Sequence, residues 1–185
     1  MNARDAVAYR LALSEGFLGE AEQDVELERW RSCVDNAQLA VENAGKAVLA
    51  LFGVAPKTHD PARNIAVMLR GGQFPEEVRA RLTGMLPDLL ALGTSEHFLT
   101  DYGDETRHAL PWELFDEASA QEALAAARRS VAAAREVVVA LRGTPTDLAP
   151  DDRSNPKNEG AAELATPAEE AESGRSLPEG NIPGG

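Results

Sequence analysis

The sequence predicts an all-α protein, an antiparallel up-and-down bundle of about five helices with a disordered C-terminal tail. Along several stretches, apolar residues recur at alternating steps of three and four, the period of one face of an α-helix. Hydrophobic residues make up 43% of the chain, but aromatic residues only 5%. An alanine-rich, aromatic-poor composition favours closely approaching helices over a β-sandwich.

The central helix of this bundle is predicted from Trp30 to Gly53. Small residues widen its apolar stripe, so that several neighbouring helices must cover it. Gly53 stands where a C-terminal glycine cap belongs, and Pro56 prevents the helix from continuing. The stripe consists of Trp30, Val34, Ala37, Val41, Ala44, Val48 and Leu51.

A long amphipathic helix precedes it, from about Ala3 to Leu27. No Pro or Gly separates Leu27 from Trp30. The chain could therefore turn sharply at Glu28–Arg29, or the two helices could be continuous. The sharp turn is preferred, because two antiparallel helices can bury each other and one overlong helix cannot.

Two helices are predicted directly after the central one. The first is short, from about Pro61 to Arg70, and Asp60 with Pro61 makes a favourable helix start. Pro75 opens the second, and Pro87 inside it should kink it or split it in two.

The last helix is predicted to run to about Arg142. Ser119 and Glu122 form a capping-box signature at its start, and Asp116 is an alternative cap one turn earlier. The segment from 94 to 115 is expected to be the least regular part of the domain.

Residues 1–142 are thus predicted to form one domain, and residues 143–185 a disordered tail rich in acidic residues, Pro and Gly. The tail carries nine acidic and three basic residues and only four large apolar side chains. Such a segment cannot bury enough surface to offset the entropy lost on ordering.

Composition also limits the function. The formal net charge of −13 argues against a general phosphate-backbone binder, so no binding to duplex DNA is expected. Neither a signal peptide nor a membrane-spanning run is present, which predicts a cytoplasmic protein without a membrane partner.

Cys33 is the single cysteine, and its place on the stripe predicts a buried thiol. The three histidines lack the spacing of a metal site, and we predict no metal and no cofactor.

The central helix and the loop behind it resemble the hallmark of HEPN domains. The stretch DNAQLAVENAGKAVLALFG, followed by PKTHD, is similar to that family's Q-x-x-x-E-x-x-x-K-A helix and its loop containing Thr-His-Asp. A looser match is the Tyr/Arg/Pro stretch before the last helix. The matching residues are Gln38, Glu42, Lys46, Ala47, Thr58, His59, Asp60, Tyr102, Arg107 and Pro111.

The resemblance implies a helical bundle that is usually dimeric. Many members are encoded with a minimal nucleotidyltransferase, and many others are metal-independent ribonucleases of toxin–antitoxin and defence systems. The ribonucleases carry an Arg-x(4–6)-His motif, and no histidine of this chain has an arginine at that distance. The resemblance therefore predicts a non-catalytic module, a homodimer that binds a nucleotide or RNA or a nucleotidyltransferase-type partner. Two alternatives stay open, a divergent ribonuclease that uses Arg107 and His108, and a purely structural helical dimer.

No catalytic residue is assigned, and each candidate ligand-binding residue also has a simpler structural interpretation. Glu42 and Lys46 are preferred as a surface ion pair, although with Gln38 they could instead form a polar seam inside the domain or at a dimer interface. Trp30 and Trp112 are expected to anchor the core. His59 is expected to tie down its loop. The candidate ligand-binding residues are Gln38, Glu42, Lys46, His59, Tyr102, Arg107 and His108.

Overall fold

Seven α-helices form the part of the chain that the computed structural model describes, residues 3–53 and 60–142, apart from the side chains of residues 94–97 and 142. They are α1 (Ala3–Glu26), α2 (Trp30–Leu51), α3 (Pro61–Gly71), α4 (Glu76–Ala91), α5 (Thr94–Tyr102), α6 (Pro111–Leu114) and α7 (Glu117–Arg142). The all-α prediction is confirmed. The count of about five was low, because the segment expected to be irregular contains α5 and α6.

Helix α2 lies at the centre of the bundle, as predicted, and packs most extensively against α1 and α7. Small side chains allow these neighbours to approach closely. Each residue from Val41 to Ala50 is buried. Eight apolar residues along this helix have no exposed surface, namely Cys33, Ala37, Ala40, Val41, Ala44, Ala47, Val48 and Leu49.

The chain turns sharply between α1 and α2, as preferred from the sequence. Glu28 adopts a left-handed backbone with φ of 55°, and the Arg29 amide donates to the Asp24 carbonyl at 2.8 Å. Two side-chain hydrogen bonds then join α1 to α2, one from Arg10 to Asn43 and one from Asn36 to Asp24. Since early residues of α1 meet late residues of α2, the two helices are antiparallel.

Helix α7 runs antiparallel to both α1 and α4. Arg128 and Arg135 pair with Glu22 and Glu15 of α1, whereas Arg129 and Glu136 pair with Asp88 and Arg81 of α4. The order of the paired residues along the chain shows the direction of α7. Exposed ion pairs contribute little to the free energy of unfolding.

The cap of α7 differs from the preferred prediction. Asp116 is the cap, since its Oδ1 accepts from the Ser119 amide at 2.9 Å, and Ser119 Oγ accepts in return from the Asp116 amide at 2.8 Å. The box of Ser119 with Glu122 was therefore wrong, and the alternative one turn earlier is the one formed. These amide hydrogen bonds, with those of the Ser119 hydroxyl, lower the pKa of Asp116.

One further helix start follows its sequence signal. Asp60 caps α3 by accepting from the Arg63 amide at 3.3 Å, with Pro61 in the first turn. Pro87 lies inside α4, which runs as one helix from Glu76 to Ala91, so the predicted alternative of two separate helices was wrong. Across the ranges 3–53 and 60–142, none of the helices has the length and apolar character needed to cross a membrane.

Candidate functional site

A polar row on α2 holds three of the predicted site residues inside the bundle. Gln38, Glu42 and Lys46 follow one another at steps of four, so they line one helix face. Lys46 Nζ donates to Glu42 Oε1 at 2.6 Å, and Gln38 Nε2 donates to Glu42 Oε2 at 3.3 Å. Their exposed fractions are 1% for Gln38, 5% for Glu42 and 9% for Lys46. The preferred surface pair was therefore wrong, and the row is a polar seam within the domain.

Burial decides what this row can do chemically. Removing two charges from water is costly unless each is paired and hydrogen-bonded. Glu42 meets this condition by accepting from both neighbours, so the ammonium group of Lys46 is already matched. A phosphate would have to compete with Glu42 for Lys46. Gln38 Oε1 is buried and has no hydrogen-bond partner among the described residues.

Thr58 and His59, the loop part of the predicted site, lie outside the described residues. The interpretation of His59 therefore stays a prediction. Asp60, which follows it, has the structural role of capping α3.

The other predicted site residues are Tyr102, at the end of α5, and Arg107 and His108, in the turn between α5 and α6. Gly103 ends α5 with φ of 76°, and a Cβ there would lie 2.3 Å from the Ala109 carbonyl oxygen. Backbone hydrogen bonds in both directions then join Asp104 and Ala109. This closed turn, residues 103–109, carries Arg107 and His108 at its exposed side.

Side-chain hydrogen bonds make the turn stiff. Asp104 Oδ1 accepts from the Thr106 hydroxyl at 2.6 Å and from the Arg107 amide at 3.2 Å. The Thr106 hydroxyl is the main cause of the lowered pKa of Asp104, and the charge of Arg107 adds to it. Arg107 Nε lies 3.9 Å from Asp104 Oδ2, a loose contact that leaves 75% of the arginine side chain exposed. Arg107 can therefore reach an anion from solution.

Aromatic side chains flank this turn at the surface. Trp112 is 68% exposed and Tyr102 67% exposed. The prediction of Trp112 as a core anchor was wrong, whereas Trp30 is partly buried against the core as expected. Phe98 was missed, although its spacing of four from Tyr102 is visible in the sequence. It is 55% exposed, and its ring centroid lies 6.1 Å from that of Tyr102.

The predicted residues form two separate groups. Helix α5 is attached to the first half of α2, since Arg31 donates to the Thr100 carbonyl and the Thr100 hydroxyl donates to Asp35. Lys46 lies eleven residues beyond Asp35, about 16 Å further along the helix axis. The α2 row and the turn at 103–109 therefore cannot contact the same phosphate group.

Comparison with known proteins assigns the family. The model of the HEPN domain matches residues 7–137. The chain belongs to the HEPN domain family. This match covers α1 to α7 apart from the outermost residues of the first and last helices, and it confirms the resemblance of the central-helix motif.

A solved structure supports the fold of this HEPN domain. The crystal structure of TT1696 from Thermus thermophilus superposes with a TM-score of 0.60 and is 20% identical in sequence. The match covers 72% of this chain and 98% of that chain. At this identity the likeness concerns the fold alone. Comparison with curated protein sequences gives no match.

Among the residues described, no group of three or more His, Cys, Asp or Glu side chains could hold a metal ion.

Proposed function

We propose that this HEPN domain is a non-catalytic module that acts as a homodimer and binds a nucleotide or a short RNA. The observation that carries the proposal is the exposed surface around the turn, where Arg107 is exposed in the turn itself and exposed aromatic side chains stand on the helices before and after it. We call this the α5–α6 surface, defined by Phe98, Tyr102, Arg107, His108 and Trp112. Bases stack on aromatic side chains, and an exposed arginine supplies the phosphate contact.

Lys46 has a different role in this proposal from the one expected. Its ammonium group is held by Glu42 inside the bundle, so the α2 row supports the fold. Ligand contact is instead assigned to the α5–α6 surface, which includes three of the seven predicted residues.

The non-catalytic part of the proposal rests on the sequence and on the turn. No arginine precedes a histidine at the spacing of the family's ribonucleases. Arg107 and His108 are adjacent, and His108 has a left-handed backbone with φ of 51°. Purified protein is therefore expected to leave RNA intact. RNA cleavage that is lost in His108→Ala would contradict this and favour the divergent ribonuclease.

Tryptophan fluorescence offers a direct test of binding. The chain has two tryptophans, and the variant Trp30→Phe leaves Trp112 as the sole reporter. We expect its emission to be quenched saturably by a nucleoside triphosphate or a short RNA. Arg107→Ala should weaken binding about tenfold and reduce its salt dependence, since one phosphate contact is lost.

A matched control is Arg135→Ala, which removes another exposed arginine, on α7. It should leave affinity unchanged. Quenching that is absent with all nucleotides and RNAs would overturn the binding proposal, and a well-folded dimer without a ligand would then favour the purely structural alternative. Stable co-elution with a nucleotidyltransferase would instead assign the module to a protein partner.

The dimer is tested separately. We expect light scattering to give twice the 19.7 kDa mass of one chain. A monomer at micromolar concentration would contradict this part of the proposal without affecting the binding test.

A further inference from the structure

A cavity of about 200 Å³ lies between α4 and α7, with α2 behind it. Apolar side chains from all three helices line it, including Val34, which is 1% exposed. Apolar cavities of about 150 Å³ accept a molecule the size of benzene. This cavity could therefore hold one compact ring. The apolar lining consists of Val34, Ala91, Leu92, Ala123 and Ala126.

An ion pair stands in the polar part of the cavity wall. Arg129 donates twice to Asp88, from Nε at 3.1 Å and from the terminal nitrogen Nη2 at 2.7 Å. The Asp88 side chain is 11% exposed. Both oxygens of Asp88 accept from Arg129, so the two charges of this pair are matched.

Glu122 supplies a further charge on the same wall. It lies on the face of α7 that also carries Arg129, two turns along. The hydrogen bonds that Arg129 donates to Asp88 are the main cause of the raised pKa of Arg129, and the charge of Glu122 adds to it. The Glu122 side chain is exposed and has no hydrogen bond or ion pair among the described residues. Two carboxylates then face one guanidinium group, so that the wall carries a net negative charge.

We propose that the α4–α7 cavity binds a small organic cation, a protonated amine attached to a compact apolar body. The apolar body fits against Val34 and the alanines, and the ammonium group donates to Glu122. An anion of the same size is disfavoured by the net negative charge of the wall. This site is independent of the α5–α6 surface, which takes a ligand of the opposite charge.

Three ring compounds of similar size test the charge preference on the full chain. They are benzylamine, benzyl alcohol and benzoate. Calorimetry is expected to give saturable binding of benzylamine with a dissociation constant below about 1 mM, with benzyl alcohol weaker and benzoate undetected. Glu122→Gln should weaken benzylamine about tenfold and leave benzyl alcohol unchanged.

Two variants locate the site. Ala126→Leu fills the cavity and should abolish binding, and Ala91→Leu at its more exposed wall is the substitute if the first variant does not fold. Glu20→Gln, an exposed change on α1, is the charge control and should have no effect. Equal binding of amine and alcohol, an unchanged affinity in Glu122→Gln, or no binding of benzylamine at all would each overturn the proposal.

Discussion

Lys46 shows how burial changes the meaning of a familiar residue pair. The spacing of four between Glu42 and Lys46 is the same for an ion pair on a helix surface and for one inside a bundle. Only the neighbouring helices decide between them, and here they leave 10% of the lysine side chain exposed. Loss of one partner of this buried pair therefore lowers the free energy of unfolding far more than loss of one partner of a surface pair.

Substitution of Lys46 is expected to destabilise the fold. Lys46→Ala leaves Glu42 charged and buried, which should lower the free energy of unfolding by about 3 kcal/mol. Urea unfolding followed by circular dichroism measures this change. Arg135→Ala breaks an exposed ion pair with Glu15 and should cost less than about 1 kcal/mol. Equal losses in the two variants would contradict the buried role of Lys46.

Cys33 is a second residue whose chemistry is set by its surroundings. It has no exposed surface, and its thiol donates to the Ala120 carbonyl at 3.5 Å. Burial, with a smaller contribution from the charge of Asp24, raises the pKa of Cys33 from 9.0 to about 11. The folded thiol therefore keeps its proton where an unfolded thiol would lose it.

This shift predicts a loss of stability in alkaline solution. Between pH 9 and pH 11 the unfolded state binds fewer protons at Cys33 than the folded state, so the free energy of unfolding falls as pH rises. Other groups also titrate there, and the comparison with Cys33→Ala isolates the thiol. From pH 8 to pH 10.5, the free energy of unfolding of the unaltered protein should fall relative to that of Cys33→Ala. A constant difference would contradict a buried thiol.

Helix α2 carries small residues, and at Gly45 its neighbours approach closely. A Cβ at position 45 would lie 2.8 Å from Pro61 Cγ and 2.9 Å from Leu89 Cδ2. The proline ring is rigid and cannot move aside easily. In α4, by contrast, a Cβ at Gly84 would meet nothing within 4 Å.

Alanine at these two positions should therefore have opposite effects. Gly84→Ala is expected to stabilise the fold by about 0.5–1 kcal/mol, because alanine loses less entropy in a helix. Gly45→Ala gains the same helix propensity but forces α3 and α4 away from α2, so its melting temperature should fall. Scanning calorimetry measures the melting temperatures of the two variants. Stabilisation by both changes would show that α2 has free space at Gly45.

At the scale of the whole molecule, one helix organises the bundle. The exposed arginine–glutamate pairs between α7 and α1 contribute little to stability, whereas the buried surface of α2 provides the stabilising contact with α1 and α7. The family match ends within α7, at residue 137. The match lies within residues 1–142, and we propose that these residues form the folded unit and that the tail is dispensable for folding.

Truncation tests this division of the chain. A protein ending at residue 142 should have the same urea midpoint and the same slope as the full chain, because the slope reports the surface exposed on unfolding. A lower midpoint for the shorter protein would show that residues 143–185 contribute to the fold.

Local signals allowed much of this architecture to be predicted. The positions of α1 to α4 and α7 follow from helical periodicity and from Asp, Pro and Gly residues at the helix starts and ends. The central-helix motif, read from consecutive residues of one helix, also indicated the family. Helices α5 and α6 escaped prediction because they are short, with nine and four residues, and such lengths hold little periodic signal.

By itself, the sequence determined the helical class, the central place of α2 and the HEPN family, and it favoured a sharp turn before α2. These properties depend on the order of residues along single helices, where period and caps are local. Tertiary structure decided that Lys46 is buried, that Trp112 is exposed and that Asp116 caps α7. It also separated the α2 row from the α5–α6 surface, because burial and proximity depend on which neighbouring helix covers each face.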